Sequence, residues 1–419
     1  MILTSKHSFK DSNFDKQKYL SIFIDEYRRV SEVILNSIWD EGYKGFNISL
    51  NELEFPKYPD YRDFEVETFL TARALSSLVN QLSGIIRAAV EKQRKRIFVF
   101  NKKKENEIAK NEMKHLILKL KQNIPRKPNI KNINPELSSK CMEFIRVEGH
   151  FNGFIKLQSI IKSKKPIYLP IKFHKHSLNL QSKGYMLGGF GLTKCNVSIR
   201  WNIKEPILKP EGIIVGADQG LKTVLTLSDK QTTQETDLHG HSLNSIITKM
   251  TKTKKGSIRF KRLQDQRTNF INWSINRLDF SGIKQINLER IWNIGYKNGV
   301  SRKLSHWTNT VIRDKVEKRC SLAGVQFTEQ DSTYRSQRCH CCGMVRKANR
   351  KGKTYSCNSC GFIGDADLNA AMNHEISIPE IPYTLRIAKY NRAGFYWTKD
   401  GFYDLAGTSL ESVPPVEDV

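Results

Sequence analysis

Acidic residues are scarce in this chain, and long apolar segments are absent. Its 419 residues include 42 Asp and Glu against 69 Lys and Arg, so the formal charge is +27 and the pI is near 9.7. No apolar run reaches the roughly 18–20 residues that span a bilayer, and Met1 to Lys10 lack the apolar core of a signal peptide. We therefore expect a soluble intracellular protein with no membrane partner.

The excess of positive charge argues against an ordinary metabolic enzyme. Basic proteins of this size usually bind polyanions, because lysines and arginines that neutralise phosphates release counterions. The alternative is a lysine-rich composition that reflects an AT-biased genome. The length predicts two or three domains, since a single hydrophobic core stops growing at about 250–300 residues.

The basic residues are unevenly distributed. Residues 91–140 hold 15 Lys and Arg against 5 acids, and no acid lies between Glu148 and Glu205. Residues 141–203 contain short β-type runs separated by Gly and Pro, which favours a small β-barrel with a basic face, a common platform for nucleic acid. The alternative is a β-domain whose basic surface residues do not bind nucleic acid. Apolar residues at helical spacing predict helices over about 15–39, 64–96 and 104–122.

Two basic groups are candidates for nucleic-acid contact. One ends the second predicted helix, and the other lies within 249–267, where eight Lys and Arg accompany one Asp. A charge run on a helix is usually a solvated face, but the one-sided excess favours contact with a phosphate backbone. Tyr185, Phe190 and Trp201 could stack on bases, although packing in a core is the main expectation for them. The basic candidates are Lys92, Arg94, Lys95, Arg96, Lys254, Lys255, Arg259, Lys261, Arg262 and Arg267.

Five of the eight cysteines lie within 22 residues, which indicates a metal site and not the disulfide framework of a secreted protein. Cys339 and Cys342 form one C-x-x-C pair, and Cys357 and Cys360 form a second pair after 14 residues. Four thiolates in this pattern can bind Zn²⁺ tetrahedrally and leave no open position for chemistry. We predict a structural zinc module, with a one-residue shift of pairing to Cys341 as the alternative.

Three acidic residues lie at the ends of predicted elements. Asp218 follows a buried strand, Glu289 follows another, and Asp367 lies at the start of a helix. Each alone is more often a cap or turn residue. Together they predict a divalent-metal site, because Mg²⁺ and Mn²⁺ prefer oxygen ligands and two such ions about 4 Å apart support phosphodiester hydrolysis. Asp365 is expected to cap the helix instead, because residues i and i+2 of a helix point apart.

These motifs, in this order, resemble those of the TnpB proteins. Gly216-Ala-Asp218-Gln-Gly220-Leu-Lys-Thr is similar to their first RuvC motif, and Ile286-Asn-Leu-Glu289 to the second. The two C-x-x-C-Gly pairs followed by Asp367-Leu-Asn369-Ala-Ala371-Met-Asn373 resemble the zinc ribbon and the third motif. The spacing matches over 212–376, whereas the first 200 residues match in architecture only.

The sequence also departs from that family at three places. Ala217 stands where Ile is usual, Arg290-Ile291 follows Glu289 in place of Asp/Asn-Leu, and Arg335 replaces a usual Thr. Arg290 could pair with Glu289 or meet substrate phosphate. None of these changes removes one of the three carboxylates.

TnpB proteins and the similar compact type V CRISPR effectors are RNA-guided DNA nucleases. The resemblance implies that Asp218, Glu289 and Asp367 are the catalytic residues that bind Mg²⁺ or Mn²⁺, and that the four cysteines bind Zn²⁺. It also implies a guide RNA, double-stranded target DNA beside a short adjacent motif, and a prokaryotic or phage-encoded protein of the cytoplasm, acting as monomer or homodimer. A guided DNA-binding repressor and a guide-independent RuvC-like resolvase or transposase remain alternatives.

The predicted fold class is a multidomain α/β protein. An RNase-H-like RuvC domain with an inserted zinc ribbon is expected to follow an N-terminal wedge-like β-barrel with an inserted helical recognition domain. The last 19 residues carry four acids and no base, a feature without a derived role. The expected ranges are 1–12 and 141–211 for the barrel, 13–140 for the helical domain, 212–331 for the RuvC-like domain, 332–362 for the ribbon, 363–379 for the third-motif helix and 380–419 for an irregular or disordered tail.

Overall fold

The computed structural model divides the chain into two compact units, Met1–Lys204 and Glu205–Val419. Each unit is described by itself. No helix within the described ranges is long and apolar enough to cross a membrane. Residues 106–122 of the helix predicted over 104–122, residues 411–419 of the acidic C-terminal end and the side chain of Arg96 lie outside what the structure describes. The structure describes residues 1–43, 60–105, 127–291, 303–387 and 389–410.

Two long helices dominate the first half of the first unit. Helix α1 spans Phe14–Tyr43 and helix α2 spans Ala72–Glu105. Their apolar stripes are buried at the predicted helical spacing, as Phe23 and Tyr27 of α1 and Leu82 of α2 illustrate. Helix α2 begins later than expected, because Asp60 caps a single 3-10 turn at Tyr61–Asp63 and the chain is extended after it.

Two antiparallel sheets and a short helix complete the first unit. The five-stranded sheet has β1 and β7 on either side of β8, with β2 beyond β7 and β6 also paired to β8. The second sheet has the order β3-β4-β5. The strands and the helix are β1 (Ile2–Ser8), β2 (Glu136–Leu137), β3 (Met142–Arg146), β4 (Gly153–Leu157), β5 (Ile167–Ile171), α3 (Lys175–Lys183), β6 (Gly184–Met186), β7 (Phe190–Leu192) and β8 (Asn196–Ile203).

The core of the larger sheet is formed by alternating residues of β1 and β8. Strand β8 buries every second residue, including Trp201, whose indole N–H donates to Ser5 Oγ at 2.7 Å. Phe190 is also buried, so the expectation that these two aromatic residues pack in a core is confirmed, whereas Tyr185 is exposed. The β-type character predicted for 141–203 is therefore correct, and closure into a barrel stays a prediction.

A four-stranded sheet with the order β10-β9-β11-β12 organises the second unit. Strand β9 runs parallel to β11, β11 runs parallel to β12, and β10 forms an antiparallel edge. Three helices supply buried apolar residues to the core on one side of this sheet. These elements are β9 (Ile213–Gln219), β10 (Leu225–Leu227), α4 (Leu243–Thr251), α5 (Ile258–Ile275), β11 (Ile283–Arg290), α6 (Asn309–Ala323) and β12 (Gln326–Asp331).

Small strands and two helices follow β12. The cysteine-rich segment, residues 339–360, contributes one strand to the three-stranded sheet β13-β17-β18. It contributes two strands to another sheet, β14-β15-β16. These elements are β13 (Met344–Val345), β14 (Arg350–Lys351), β15 (Thr354–Ser356), β16 (Ile363–Asp365), α7 (Ala366–Glu375), α8 (Tyr383–Ile387), β17 (Phe395–Trp397) and β18 (Phe402–Tyr403).

The prediction of an irregular tail after residue 380 is wrong as far as residue 410. Strand β17 pairs with β13 of the cysteine-rich segment, and β18 pairs with β17. Phe395, Trp397, Phe402 and Leu410 are buried in one apolar cluster with Val345. These strands have two or three residues each, so packing against the cysteine-rich segment holds them and local propensity does not.

Candidate metal centres

Two carboxylates meet because their strands are parallel neighbours. Ala217 of β9 lies opposite Leu288 of β11, so the next residues, Asp218 and Glu289, lie level at the carboxyl ends of the two strands. Ala217 and Leu288 belong to the apolar core. Because side chains alternate along a strand, Asp218 and Glu289 project from the opposite face of the sheet.

Helix α7 packs on that face at Gly216. A Cβ on this glycine would lie 2.0 Å from the Ala371 carbonyl oxygen and 2.3 Å from the Glu375 amide nitrogen. The absent side chain therefore allows the helix backbone to rest on the strand. Asp365 caps the helix by accepting hydrogen bonds from the amides of Asp367 and Leu368, as the sequence predicts.

The buried carboxylate of Asp367 lies on α7 and is paired with two cations of the cysteine-rich segment. Arg350 Nη2 is 2.9 Å from one carboxylate oxygen, and Lys353 Nζ is 2.5 Å from the other. The same negative charge raises the pKa of Asp218, so Asp367 is electrostatically part of the site. Asp218 and Glu289 thus meet directly, whereas Asp367 acts on them through its charge and is held by Arg350 and Lys353, two neighbours that the motif pattern did not reveal.

The site disfavours negative charge on both Asp218 and Glu289 at once. Burial raises the pKa of Asp218 well above its ordinary value, and the charges of Glu289 and Asp367 add to the effect. Burial also raises the pKa of Glu289 to about 7, although hydrogen bonding from Gln219 and the charge of Arg350 act in the opposite direction. Carboxylates held together in a water-poor site are the arrangement that a divalent cation stabilises.

His374 joins this cluster, which sequence reasoning missed. A carboxylate oxygen from each of Asp218 and Glu289 and a ring nitrogen of His374 all lie within 4.8 Å of one another. His374 lies seven positions after Asp367, close to two helical turns, so both project from one side of α7. That spacing is the signal in the sequence that could have identified it. The chemistry and positions of these donors fit a divalent cation.

The four cysteines of the predicted zinc module also converge. Their sulfur atoms lie within 4.8 Å of one another, with 3.7 Å between Cys339 and Cys360 and 3.6 Å between Cys342 and Cys357. Gly343 and Gly361 adopt φ values of 79° and 77°, which close the two turns. Four sulfur donors at these separations fit a tetrahedral zinc ion.

The residues between the first two ligands have other roles in the structure. Asn369 Oδ1 of α7 accepts a hydrogen bond from the backbone amide of His340 and lies 3.0 Å from its Nδ1. Cys341 is exposed and does not belong to the four-sulfur group. The contact with Asn369 links the cysteine-rich segment to the helix that carries Asp367.

Two arginines that depart from the family pattern have structural partners. Arg335 is buried, donates to the carbonyl oxygens of Asp331 and Asn373, and lies over the ring of Trp397. Arg290 pairs with Glu380 at 3.2 Å. Both arginines thus help to join the chain after α7 to the rest of the second unit.

The predicted nucleic-acid contacts are mostly accessible. Lys92, Arg94 and Lys95 are exposed on α2, and Lys254, Lys255, Arg259, Lys261 and Arg262 are exposed on or just before α5. The prediction that Arg267 contacts nucleic acid is wrong, because Arg267 is buried and its guanidinium donates to the His306 carbonyl oxygen. Seven residues of α5, including Arg267, are buried and form the inner side of the helix.

Part of the chain is similar in sequence to known proteins. Residues 311–374 match the family described as Cas12f1-like, TNB domain. A protein of Sulfoacidibacillus thermotolerans named CRISPR-associated endodeoxyribonuclease Cas12f1 is 37% identical over 24% of this chain and 23% of its own length. A protein of the same name from Syntrophomonas palmitatica is 29% identical over 21% of this chain and 18% of its own length. The matched part thus spans about a quarter or less of these curated relatives.

Two solved structures share the fold over most of the chain. The cryo-EM structure of a Cas12f1-sgRNA-target DNA complex has a TM-score of 0.52 at 15% identity and covers 86% of this chain and 83% of its own. The mini-RNA-guided endonuclease CRISPR-Cas_phi3 has a TM-score of 0.51 at 10% identity and covers 91% and 94%. The chain therefore has the fold of compact RuvC-containing effectors, and the resemblance to TnpB proteins and compact type V effectors is confirmed.

Proposed function

We propose that this protein is an RNA-guided DNA endonuclease. The observation that carries the proposal is the meeting of Asp218 and Glu289 at the ends of parallel strands, beneath a helix that brings Asp367. Relatives named as endodeoxyribonucleases match part of the chain, and a fold match comes from a complex with guide RNA and target DNA. The net charge of +27 supports binding to two polyanions at once.

The three carboxylates are the residues that would hold divalent cations, Mg²⁺ or Mn²⁺. When bound, such ions would activate water and stabilise the leaving oxygen of a phosphodiester. Gln219 donates a 2.9 Å hydrogen bond to the Glu289 backbone carbonyl, which holds the ends of β9 and β11 together. Arg350 and Lys353 offset the charge of Asp367 and place two cations where a DNA phosphate would meet the site.

The exposed basic side chains of α2 and α5 would bind nucleic-acid backbones without reading bases. A guide–target heteroduplex can be held through its A-form shape and charge, while base pairing selects the sequence. The four cysteines would bind one structural Zn²⁺, which fixes the segment that carries Arg350 and Lys353. One equivalent of zinc in wild-type protein, and less in Cys357→Ser, would support that assignment.

The experiment that tests the function begins with the RNA. The full chain is expressed together with the DNA that flanks its gene, and the nucleic acid that copurifies is sequenced. We expect one discrete RNA with a segment that can be reprogrammed. Absence of a discrete RNA would overturn the proposal.

The second stage is cleavage of double-stranded DNA that matches the programmed segment, flanked by randomised bases. We expect Mg²⁺- or Mn²⁺-dependent cleavage only when the RNA is present. RNA-dependent binding by wild-type protein without cleavage would identify a repressor, and RNA-independent cleavage would identify a resolvase or transposase; both outcomes contradict the proposal.

A further inference from the structure

His374 occupies a position that is unusual for a histidine that only packs. It is 1% exposed, and its Nδ1 atom is buried with no hydrogen-bond partner. Polar atoms buried in this way are rare in proteins, because their interactions with water are lost without replacement. An apolar residue of similar volume would fill the same space without this cost, so the presence of a histidine here needs an explanation.

The surroundings of His374 supply one. A ring nitrogen lies within 4.8 Å of a carboxylate oxygen from both Asp218 and Glu289. A cation among these three residues would have two oxygen donors and one nitrogen donor. Asp367 is held by Arg350 and Lys353 and is not one of the three.

The backbone of His374 is firmly held, so the position of its ring is not accidental. The buried Asn287 amide of β11 donates to the carbonyl oxygens of His374 at 2.9 Å and Glu375 at 3.3 Å. On the other side, Gly216 allows the same turn of α7 to rest directly on β9. The strands that carry the two carboxylates thus also fix the residue that carries the imidazole.

We propose that His374 supplies an imidazole nitrogen to the divalent-cation site of Asp218 and Glu289, and that this site consequently binds Mn²⁺ in preference to Mg²⁺. Imidazole suits first-row transition ions, whereas carboxylate and water ligands suit Mg²⁺ and Mn²⁺ alike. Of Mg²⁺ and Mn²⁺, only Mn²⁺ is a first-row transition ion, so it is the one that an added imidazole nitrogen should favour. The inference rests on the proposed function, because it assigns a ligand to the same site.

The test uses pulsed electron paramagnetic resonance, which detects the nuclear spin of a nitrogen bound directly to Mn²⁺. The full chain, loaded with zinc beforehand, receives less than one equivalent of Mn²⁺. Protein grown with ¹⁵N-labelled histidine identifies histidine as the nitrogen source without any substitution. His374→Leu removes the proposed ligand, and His241→Leu is the matched control, because His241 lies in the same unit beside the carboxylate of Asp237.

We expect a histidine nitrogen signal in wild type and His241→Leu that is lost in His374→Leu. Loss of the ligand should also weaken Mn²⁺ binding by about tenfold or more in calorimetry, with a much smaller change for Mg²⁺. Bound Mn²⁺ without a histidine signal in wild type, in a site that Asp218→Asn abolishes, would overturn this inference and leave the proposed function intact. Mn²⁺ binding that Asp218→Asn does not weaken would overturn both.

Discussion

Gly216→Ala should disable the site without touching any of its polar residues. The added Cβ would lie 2.0 Å from the Ala371 carbonyl oxygen, whereas real contacts of this kind are essentially never closer than 3.0 Å. The obstacle is helix backbone, so α7 must move by about 1 Å or more. Because α7 carries Asp367 and His374, their donors would separate from Asp218.

The size of the effect follows from that displacement. A misplacement of about 1 Å can lower a rate by about 100-fold, and overpacking of a tight contact costs about 1–3 kcal/mol. We expect the guided cleavage rate of Gly216→Ala to fall by about two orders of magnitude while binding of the guide RNA persists. Single-turnover cleavage measures the rate, and urea unfolding measures the expected loss of about 1–3 kcal/mol in the free energy of unfolding.

Gly282→Ala is the matched control. Gly282 precedes β11 in the same unit, and a Cβ there would meet no atom within 4 Å. This variant should cleave and unfold like wild type. Cleavage by Gly216→Ala at a rate similar to that of Gly282→Ala would refute the inferred role of the close contact between α7 and β9.

Two further variants test the parts around the site. Trp397→Ala removes a buried ring that donates to the Pro379 carbonyl oxygen, so urea unfolding should show a loss of about 3–5 kcal/mol. Tyr403→Ala, at a half-buried position of the neighbouring strand, should cost much less, and equal losses would contradict docking of the C-terminal segment. Arg350→Met removes one cation from Asp367, so calorimetry of the zinc-loaded protein without added Mg²⁺ or Mn²⁺ should show a loss of about 1 kcal/mol or less in the free energy of unfolding. Divalent cation should shrink that loss, because it replaces the missing charge, and an unchanged loss would contradict this reasoning.

Much of the second unit could be predicted because its signals are local. Apolar runs that end at Asp218 and at Glu289 predict buried strands, and Asp365 predicts the start of a helix. The cysteine spacing similarly indicates four converging thiolates. What spacing alone does not provide is the register of β9 against β11, which places the two carboxylates level.

The parts that sequence reasoning missed depend on tertiary contacts. Strands β17 and β18 are too short to show a periodic pattern, and they are held by the cluster around Trp397 and Val345. Arg267 belongs to a basic run, yet its position on the inner face of α5 buries it. The spacing of His374 from Asp367 places both on one side of α7, but the carboxylates that His374 meets are known only once α7 is packed on the sheet.

The most direct measurement is guided cleavage by Asp218→Asn compared with Asp314→Asn, an exposed aspartate on α6. Both complexes should bind the programmed target equally, since neither change touches the basic surfaces. Asp218→Asn should lose cleavage by about 1,000-fold or more, because a buried ligand for the cations is gone, while Asp314→Asn should cleave like wild type. Cleavage by Asp218→Asn at the rate of Asp314→Asn would show that the carboxylates at the ends of β9 and β11 are not the catalytic centre.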